Sequence, residues 1–257
     1  MEDKTCVRNF KDKFGIITGA ASGIGRASAV YLAGAGASLT LVDLAAYQLD
    51  GLALEIKNMG ALLPLALTAD VSSVVDVDRV ANETLAAFDR IDFLVTSAGI
   101  LRRTAFPEIE PEEWDLVLNI NLRGPYLCCR AVMPAMIKQG RGTIVNIASL
   151  AGRSVSVLGG AHYTASKHGV IGLSRHLARE LGPYGIRVNA FCPGATLTPM
   201  VEKASSPEER VRTAAQWPLR RWASPEEQAR VIAFLLSDES GFITGASIDS
   251  NGGALMV

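Results

Sequence analysis

Two residues of the sequence, Tyr163 and Lys167, are spaced so that together they could move a proton. They begin and end the segment Y-T-A-S-K, and residues four apart share one face of an α-helix. A neighbouring ammonium favours the charged phenolate, which lowers the pKa of a tyrosine from its unperturbed value of about 10. The spacing therefore indicates a tyrosine that acts as a general base and a lysine that assists it.

Ser149 and Asn121 are polar residues that could complete the same site. Ser149 follows the apolar run I-V-N-I-A, so we expect its hydroxyl at the carboxyl edge of a strand, where it could hold a substrate oxygen. Asn121 lies in a predicted helix, where asparagine is intrinsically unfavourable, and its amide could hold a water that connects Lys167 to solvent. A capping serine and a tolerated helix asparagine are the alternative interpretations.

A glycine-rich segment, T-G-A-A-S-G-I-G, follows the first predicted strand and places Gly19, Gly23 and Gly25 where a helix begins. Glycine allows a tight turn there, and the free N–H groups of a helix start can bind the pyrophosphate of a dinucleotide. The spacing G-x-x-x-G-x-G differs from the common G-x-G-x-x-G fingerprint, so an ordinary glycine-rich turn is the alternative.

Asp43 ends the second predicted strand, 18 residues after Gly25. A carboxylate at this position can accept hydrogen bonds from adenosine ribose hydroxyls and would repel a 2′-phosphate. No cation that could bind that phosphate stands in the glycine turn or directly after Asp43, so the sequence favours NAD over NADP. Asp70, in A-D-V, ends the third strand, where its carboxylate either binds the adenine amino group or caps the next helix.

Short β-branched runs alternate with longer segments of helical periodicity, which is typical of βαβ units around a parallel sheet. Seven strands are predicted, at residues 14–18, 38–42, 62–67, 93–96, 143–147, 187–191 and 247–249. Helices are predicted at residues 25–33, 44–59, 74–88, 112–138, 163–181 and 225–236. We expect residues 1–257 to form a single α/β domain that binds the dinucleotide and carries the catalytic residues, with an irregular segment at about 195–224 interpreted as a substrate lid.

Composition and charge argue against several classes of partner. Lysines and arginines number 25 against 26 aspartates and glutamates, so a net charge of -1 offers no field that would attract nucleic acid or an anionic membrane. The N-terminus has no apolar signal segment and no run of about 18 apolar residues could cross a membrane, so a cytoplasmic protein is expected. The four cysteines lack metal-binding spacing, which predicts reduced, mostly buried thiols and no metal site.

The motifs occur in the order seen in the short-chain dehydrogenase/reductase family. T-G-A-A-S-G-I-G, Asp43, A-D-V, Asn121, Ser149, Y-T-A-S-K and P-G-A-T-L-T follow one another, and the match runs from about residue 11 to residue 253. The chain resembles this family, which implies a Rossmann-like, doubly wound seven-stranded parallel sheet, a homotetramer, and hydride exchange at the nicotinamide ring. The resemblance implies that Tyr163 is the acid/base, and that Lys167 lowers its pKa and holds the nicotinamide ribose. It also implies that Ser149 orients the substrate oxygen and that Asn121 supports a proton relay.

The same resemblance implies a larger set of residues that bind the cofactor, NAD. The set comprises Gly19, Ser22, Gly23, Ile24, Gly25, Asp43, Leu44, Asp70, Val71, Ser97, Ala98, Gly99, Tyr163, Lys167, Pro193, Gly194, Thr196 and Thr198. The chain departs from the family pattern at three places. T-S-A-G at residues 96–99 replaces N-N-A-G, Thr196 replaces a commoner apolar residue, and S-N-G-G at residues 250–253 replaces an ending in D-G-G.

These features predict an NAD(H)-dependent oxidoreductase that transfers a hydride between the nicotinamide and a small secondary alcohol or ketone. The segments P-L-R-R-W-A-S-P-E-E and F-I-T-G-A-S-I-D-S-N-G-G are also similar to 3-oxoacyl-acyl-carrier-protein reductases, which is the alternative. A non-catalytic NAD-sensing or scaffold protein is an alternative of another class, because a fold alone does not determine function. The sequence contains no G-x-S-x-G motif, so nothing in it supports a hydrolase of that kind.

Several further side chains flank the predicted site. The arginine pair Arg102 and Arg103 is interpreted as ordinary surface, and His162 as a helix-start residue. Trp217 stands on the predicted lid, and the adjacent pair Cys128 and Cys129 is expected to fill the core or an interface.

Overall fold

Seven parallel strands form one sheet in the computed structural model, which describes residues 9–257 of the protein. Cys6 and the charged N-terminal segment lie outside the described residues. The strands are β1 (Phe14–Thr18), β2 (Ser38–Asp43), β3 (Leu65–Thr68), β4 (Phe93–Thr96), β5 (Gly142–Ile147), β6 (Ile186–Pro193) and β7 (Ser247–Ser250). They lie in the order β3-β2-β1-β4-β5-β6-β7, and each neighbouring pair is parallel.

Helices cover both faces of this sheet. They are α1 (Gly23–Gly34), α2 (Ala46–Asn58), α3 (Val74–Phe88), α4 (Pro111–Leu118), α5 (Gly124–Gln139), α6 (Ala161–Leu181), α7 (Pro199–Ala204), α8 (Pro207–Ala214) and α9 (Pro225–Leu236). One buried cluster joins Ile17 of β1 to α1, α2 and α9, and a second joins Ile16 to α3, α5 and α6. Successive strand residues thus point into opposite cores, which confirms the predicted doubly wound α/β fold.

Two elements differ from the sequence-based prediction. Strand β3 begins at Leu65 rather than at residue 62, because Pro64 has no N–H to donate and the two leucines before it are exposed. The long helix predicted at 112–138 is divided into α4 and α5 by a π-helical turn, Asn119–Arg123. Such a turn places one extra residue in the helix and changes the direction in which its side chains point.

The segment 195–224 is more regular than predicted, because it contains the two short helices α7 and α8. Pro199 and Pro207 are each the first residue of a helix, where the missing N–H has no cost. Ser206 and Glu209 form a capping box at the start of α8. The signature S-P-E-E at 206–209 is repeated at 224–227, where it also begins a helix.

The strand order reverses beside β1, so the connections from β1 and β4 leave toward opposite faces of the sheet. A crevice forms at such a point, at the carboxyl ends of the strands. Cys128, Cys129 and Cys192 are buried and unpaired, as expected. Among residues 9–257, every helix is too short or too polar to cross a lipid bilayer.

Candidate active site

A cavity of about 490 Å³ opens at the carboxyl edge of the sheet. Its walls come from the segments that follow strands β1 to β6 and from the segment 195–224. Every residue that the sequence places in the site lines this cavity, except Gly25 and Asn121. The fold therefore brings together motifs that are widely separated along the chain.

The glycine turn between β1 and α1 has the shape that a close phosphate approach requires. Gly19 and Gly23 have φ angles of 66° and 53°, a left-handed conformation that glycine adopts without strain. A Cβ on Gly25 would lie 2.2 Å from the Gly19 carbonyl oxygen, so Gly25 serves the packing of α1 on the turn. Ser22, the N-cap residue of α1, makes no side-chain cap hydrogen bond, so its hydroxyl leaves the first N–H groups open to an anion.

Asp43 and Asp70 lie at neighbouring strand ends along the same cavity. Asp43 Oδ2 accepts the Ala21 N–H at 3.0 Å, and its Oδ1 accepts a second backbone N–H at 3.1 Å. Asp70 Oδ1 accepts both the N–H and the hydroxyl of Ser72, each at 2.8 Å. The alternative interpretation of Asp70 as a helix cap is wrong, because Ser73 is the residue that caps α3. Both carboxylates are held in fixed orientations by the backbone.

The side chains of Ser149 and Tyr163 line the same cavity, and the Ser149 hydroxyl acts on the Tyr163 phenol in the direction that lowers its pKa. Ser149 precedes the 3₁₀ turn Leu150–Gly152 that follows β5, and Tyr163 stands in the first turn of α6. A Cβ on Gly159 would lie 2.9 Å from Tyr163 Cβ, so the loop before α6 packs directly against the tyrosine. The two hydroxyls are therefore presented together, from different elements, to one point of the cavity.

Lys167 lies one helical turn after Tyr163 and is 6% exposed. Its Nζ donates a hydrogen bond of 2.8 Å to the carbonyl oxygen of Ile147 at the end of β5 and lies 5.8 Å from the centre of the Tyr163 ring. A Cβ on Gly152 would be 2.6 Å from the Lys167 carbonyl, so the turn after Ser149 packs closely on α6. Three of the four predicted catalytic residues, Ser149, Tyr163 and Lys167, therefore line the same cavity.

Burial is the largest influence on the pKa of Tyr163 and determines that this pKa shifts upward. Removal of the phenol from water raises its pKa, and the hydrogen bond with Ser149 opposes that rise. Desolvation of the phenolate is the largest effect, so the net shift is upward, and the lowering of this pKa by Lys167 stays a prediction. Burial also lowers the pKa of the Lys167 ammonium to about 8.

Asn121 lies within the π-helical turn, fully buried behind the cavity wall. Its Oδ1 accepts the Ile100 N–H at 2.8 Å, and its Nδ2 donates to the Ile100 carbonyl at 2.9 Å and to Ser166 Oγ at 3.3 Å. A Cβ on Gly99 would lie 3.2 Å from Asn121 Oδ1 and 3.9 Å from Lys167 Nζ. The amide therefore fixes the loop after β4 and stands close to the lysine.

His162 is a helix-start residue, as expected, and it is completely buried. Its Nδ1 accepts the N–H of Tyr163 at 2.8 Å, and its Nε2 lies 2.8 Å from Glu113 Oε1. Hydrogen bonds from Thr104 and then from His162 lower the pKa of the Glu113 carboxyl. These contacts hold the start of α6, and hence Tyr163, against α4.

Residues that depart from the family pattern make hydrogen bonds of their own with nearby groups. Thr96, in the T-S-A-G segment, donates from Oγ1 to Asn146 Oδ1 at 2.8 Å and so joins β4 to β5. Asn251, in the S-N-G-G segment, accepts the Gly253 N–H at 3.0 Å and closes the final turn. Ser97 lines the cavity, close to where a Cβ on Gly25 would lie.

Gln228 of α9 is a residue that sequence reasoning missed. It is 1% exposed, and its Nε2 donates to Thr196 Oγ1 at 3.2 Å and to the Ser250 carbonyl at 3.3 Å. Thr196 in turn donates to the Gly194 carbonyl at 3.1 Å. A glutamine on the buried side of an amphipathic helix, together with a threonine where the family has an apolar residue, was the available signal. The pair fixes the segment after β6.

The segment 195–224 is tied to the rest of the site by Arg103. Its guanidinium donates to the Ala204 carbonyl at 2.7 Å and to both carboxylate oxygens of Glu209 at 3.1 and 3.3 Å. Arg103 is exposed, as expected for a surface residue, yet it also lines the cavity. Trp217 lines the cavity too, with its ring 5.6 Å from that of Trp222.

Taken together, the side chains fit a dinucleotide and an oxygen-bearing substrate. The glycine turn lines the cavity and offers the uncapped N–H groups of α1 to a pyrophosphate, while Asp43 offers carboxylate oxygens at the adjacent strand end. At the other end, Ser149 and Tyr163 can bind one substrate oxygen and exchange a proton with it. The arrangement suits oxidation of an alcohol or reduction of a carbonyl.

The likeness to known proteins extends over nearly the whole chain. The family described as Enoyl-(Acyl carrier protein) reductase matches residues 19–254. The 3-oxoacyl-[acyl-carrier-protein] reductase FabG of Thermotoga maritima is 41% identical over 243 residues, which cover 94% of this chain and 97% of that protein. Levodione reductase of Leifsonia aquatica is 39% identical over 254 residues, covering 95% of this chain and 94% of the relative.

The fold is also similar to that of solved reductase structures. A crystal structure of a 3-oxoacyl-[acyl-carrier protein] reductase with bound NAD from Brucella melitensis has a TM-score of 0.92 and 34% sequence identity, covering all of this chain and 97% of the other. With its motifs, fold and relatives in agreement, the chain belongs to the short-chain dehydrogenase/reductase family and is an oxidoreductase that acts on CH–OH groups with a nicotinamide cofactor.

Proposed function

We propose that this oxidoreductase transfers a hydride between NAD(H) and a secondary alcohol or ketone, with Tyr163 as the acid/base. The observation that carries the proposal is that Ser149 and Tyr163 line one cavity, with the buried Lys167 Nζ 5.8 Å from the centre of the Tyr163 ring. A pair of hydroxyls presented to one cavity can hold the oxygen of a substrate and exchange its proton in place.

The nicotinamide, when bound, supplies the hydride chemistry. Ser149 orients the substrate oxygen, and the Tyr163 hydroxyl accepts the alcohol proton or donates one to the carbonyl. Lys167 places a positive charge near the phenol ring, which favours loss of the phenol proton, and its Nζ, which lines the cavity, would bind a ribose hydroxyl of the cofactor. Asn121 supports the relay by fixing the loop beside Lys167.

The raised pKa of Tyr163 bears on the direction of the reaction. Burial keeps the phenol protonated at neutral pH in the protein alone, which suits proton donation to a carbonyl. Oxidation of an alcohol needs the phenolate, so its rate is expected to rise with pH. Both directions use the same two hydroxyls.

Asp43 supports NAD as the cofactor rather than NADP. Its carboxylate lies at the end of β2, held by the Ala21 N–H, where a 2′-phosphate would meet a fixed negative charge. The charged cations that line the described cavity, Lys167, Arg103 and Arg212, belong to other segments. The related reductase solved with bound NAD is consistent with this choice.

Reduction of a 3-oxoacyl thioester is the second candidate function. It is favoured by the 41% identity to the Thermotoga maritima 3-oxoacyl-[acyl-carrier-protein] reductase. The proton and hydride chemistry would be the same, and only the group attached to the reacting carbon would differ.

The homotetramer implied by the family resemblance is part of the proposal. Strand β7 pairs with β6 on one side only, so it is an edge strand in the described chain. Phe242, in the turn before β7, is fully exposed. An apolar ring of this size beside an open sheet edge supports burial against another subunit.

Replacement of Tyr163 by phenylalanine tests the acid/base role. Tyr163→Phe is expected to lower kcat by about 100-fold or more, because general acid–base catalysis contributes roughly that factor. NADH binding, measured by fluorescence, should stay the same. Tyr184→Phe, at an exposed tyrosine that does not line the cavity, is the matched control. Equal turnover in Tyr163→Phe and wild type would contradict the assignment.

Replacement of Asp43 by alanine tests the choice of cofactor. Asp43→Ala is expected to reduce the preference for NAD over NADP, measured as the ratio of kcat/KM values, by about tenfold to 100-fold, since each tenfold is about 1.4 kcal/mol. Asp50→Ala, at an exposed carboxylate on α2 outside the cavity, should leave the ratio unchanged. A wild-type enzyme that prefers NADP would overturn the interpretation of Asp43.

The Gln228–Thr196 pair generates a third prediction. Gln228→Leu leaves the buried Thr196 hydroxyl without its donor, so the KM for NAD(H) should rise about three- to tenfold, as a lost buried hydrogen bond suggests. The double variant Gln228→Leu with Thr196→Val restores an all-apolar contact and should recover most of the loss. An unchanged cofactor KM in Gln228→Leu would show that the pair does not position the cofactor segment.

A further inference from the structure

The loop of residues 153–160 connects the turn after Ser149 with α6 and carries two unusually exposed valines. Val155 and Val157 are 71% and 73% exposed, and both line the cavity. The loop lies between Ser149 and Tyr163 in the chain, and the two valines line the same cavity as these two residues. Apolar side chains in this position gain free energy when a ligand covers them.

The backbone of this loop is held in place, so the valines are presented rather than mobile. Thr164 Oγ1 accepts the Ser156 N–H at 3.1 Å, and Ser156 Oγ accepts the Gly159 N–H at 2.6 Å. Arg102 accepts the Gly160 N–H through its carbonyl at 2.9 Å. The hydroxyl of Ser156 is thus engaged inside the loop, while the valines on either side of it have no such contacts.

The segment 195–224 forms another wall and contributes large apolar side chains to the cavity, among them Met200, Trp217 and Trp222. Two of its lining hydroxyls donate within the protein: Ser205 to the Val201 carbonyl at 2.9 Å, and Thr213 to the Glu209 carbonyl at 2.7 Å. Thr198 lines the same wall and makes no side-chain cap hydrogen bond.

The charged groups of this wall are also largely satisfied. The Glu209 carboxylate is bound by Arg103, and this contact lowers the pKa of Glu209. Arg212 of α8 also lines the cavity. It is exposed to water, and its charge lies near that of Glu209. A hydroxyl-rich ligand would therefore leave part of its hydrogen-bonding capacity unpaired where it covers the two valines and the apolar side chains of this wall.

We propose that the substrate carries hydrocarbon substituents on its reacting carbon, so that it is an apolar secondary alcohol or ketone and not a polyol or sugar. The proposal rests on the hydride transfer proposed above, and it names the substrate class for the same site. Val155 and Val157 are the specificity-determining residues, because they contact the substituent while Ser149 and Tyr163 bind the oxygen.

A homologous series of alcohols tests this class. The purified protein is assayed with NAD⁺ and the alcohols from butan-2-ol to octan-2-ol, alongside erythritol and sorbitol. We expect kcat/KM to rise about two- to fourfold with each methylene, as burial of one such group suggests, and the polyols to be poor substrates. A flat series, or polyols that exceed octan-2-ol, would overturn the proposal and leave the hydride transfer intact. Absence of turnover with every alcohol, and with the matching ketones and NADH, would instead overturn the proposed function.

Serine variants of the two loop valines test whether these side chains cause the preference for longer alcohols. Val155→Ser and Val157→Ser are each expected to lower kcat/KM for octan-2-ol about three- to tenfold, with little change for butan-2-ol or in the KM for NAD⁺. Val211→Ser is the matched control, because Val211 is 72% exposed on α8 and does not line the cavity. All three valines are exposed, so each variant is expected to keep the fold. Equal losses in the control, or no loss in the two loop variants, would refute the role of the loop.

Discussion

A lysine ammonium held almost completely out of water is the feature on which the site depends. Lys167 gives up most of its hydration, which lowers its pKa to about 8, and its Nζ keeps a hydrogen bond with the Ile147 carbonyl. Buried charges of this kind are expensive and are concentrated at functional sites. The end of β5 and the second turn of α6 must keep their relative positions for the charge to retain a partner.

The packing around Lys167 enforces that relation. There is no room for a side chain at Gly152 or Gly159, so the turn after Ser149 and the loop before Tyr163 both lie close against α6. His162 adds a second restraint by binding the Tyr163 N–H and facing Glu113 of α4. Catalytic geometry in this protein thus follows from close approaches of the backbone, which bring the turn that carries Ser149 against the part of α6 that carries Tyr163 and Lys167.

Sequence reasoning predicted what depends on local pattern. The alternation of apolar runs and helical segments was sufficient for all seven strands and for the two-sided α/β fold. Helices α7 and α8 lie in the segment 195–224, which the sequence analysis interprets as irregular, although S-P-E-E at residues 206–209 begins α8 with the same capping box that begins α9. The apolar run at residues 62–67 predicts a strand that begins at residue 62, but Pro64 cannot donate to the strand ladder and β3 begins at Leu65.

The properties that could not be predicted from sequence depend on three-dimensional burial. The raised pKa of Tyr163 reflects how much water the folded chain removes from the phenol. The π-helical turn that holds Asn121, and the contact from Gln228 to Thr196, arise from residues that periodicity alone assigns to ordinary helices. The fold and the reacting groups are therefore readable from the chain, while their electrostatics and supporting contacts require the structure.

A crystal structure of the protein with both NAD and a bound ketone would test the account most directly. We expect the substrate oxygen to lie within hydrogen-bond distance of the Ser149 and Tyr163 hydroxyls, the carbonyl carbon about 3 to 3.5 Å from the reacting carbon of the nicotinamide, and the Lys167 ammonium on the cofactor ribose. A nicotinamide ring outside this cleft, or a phenol turned away from the ketone, would contradict it.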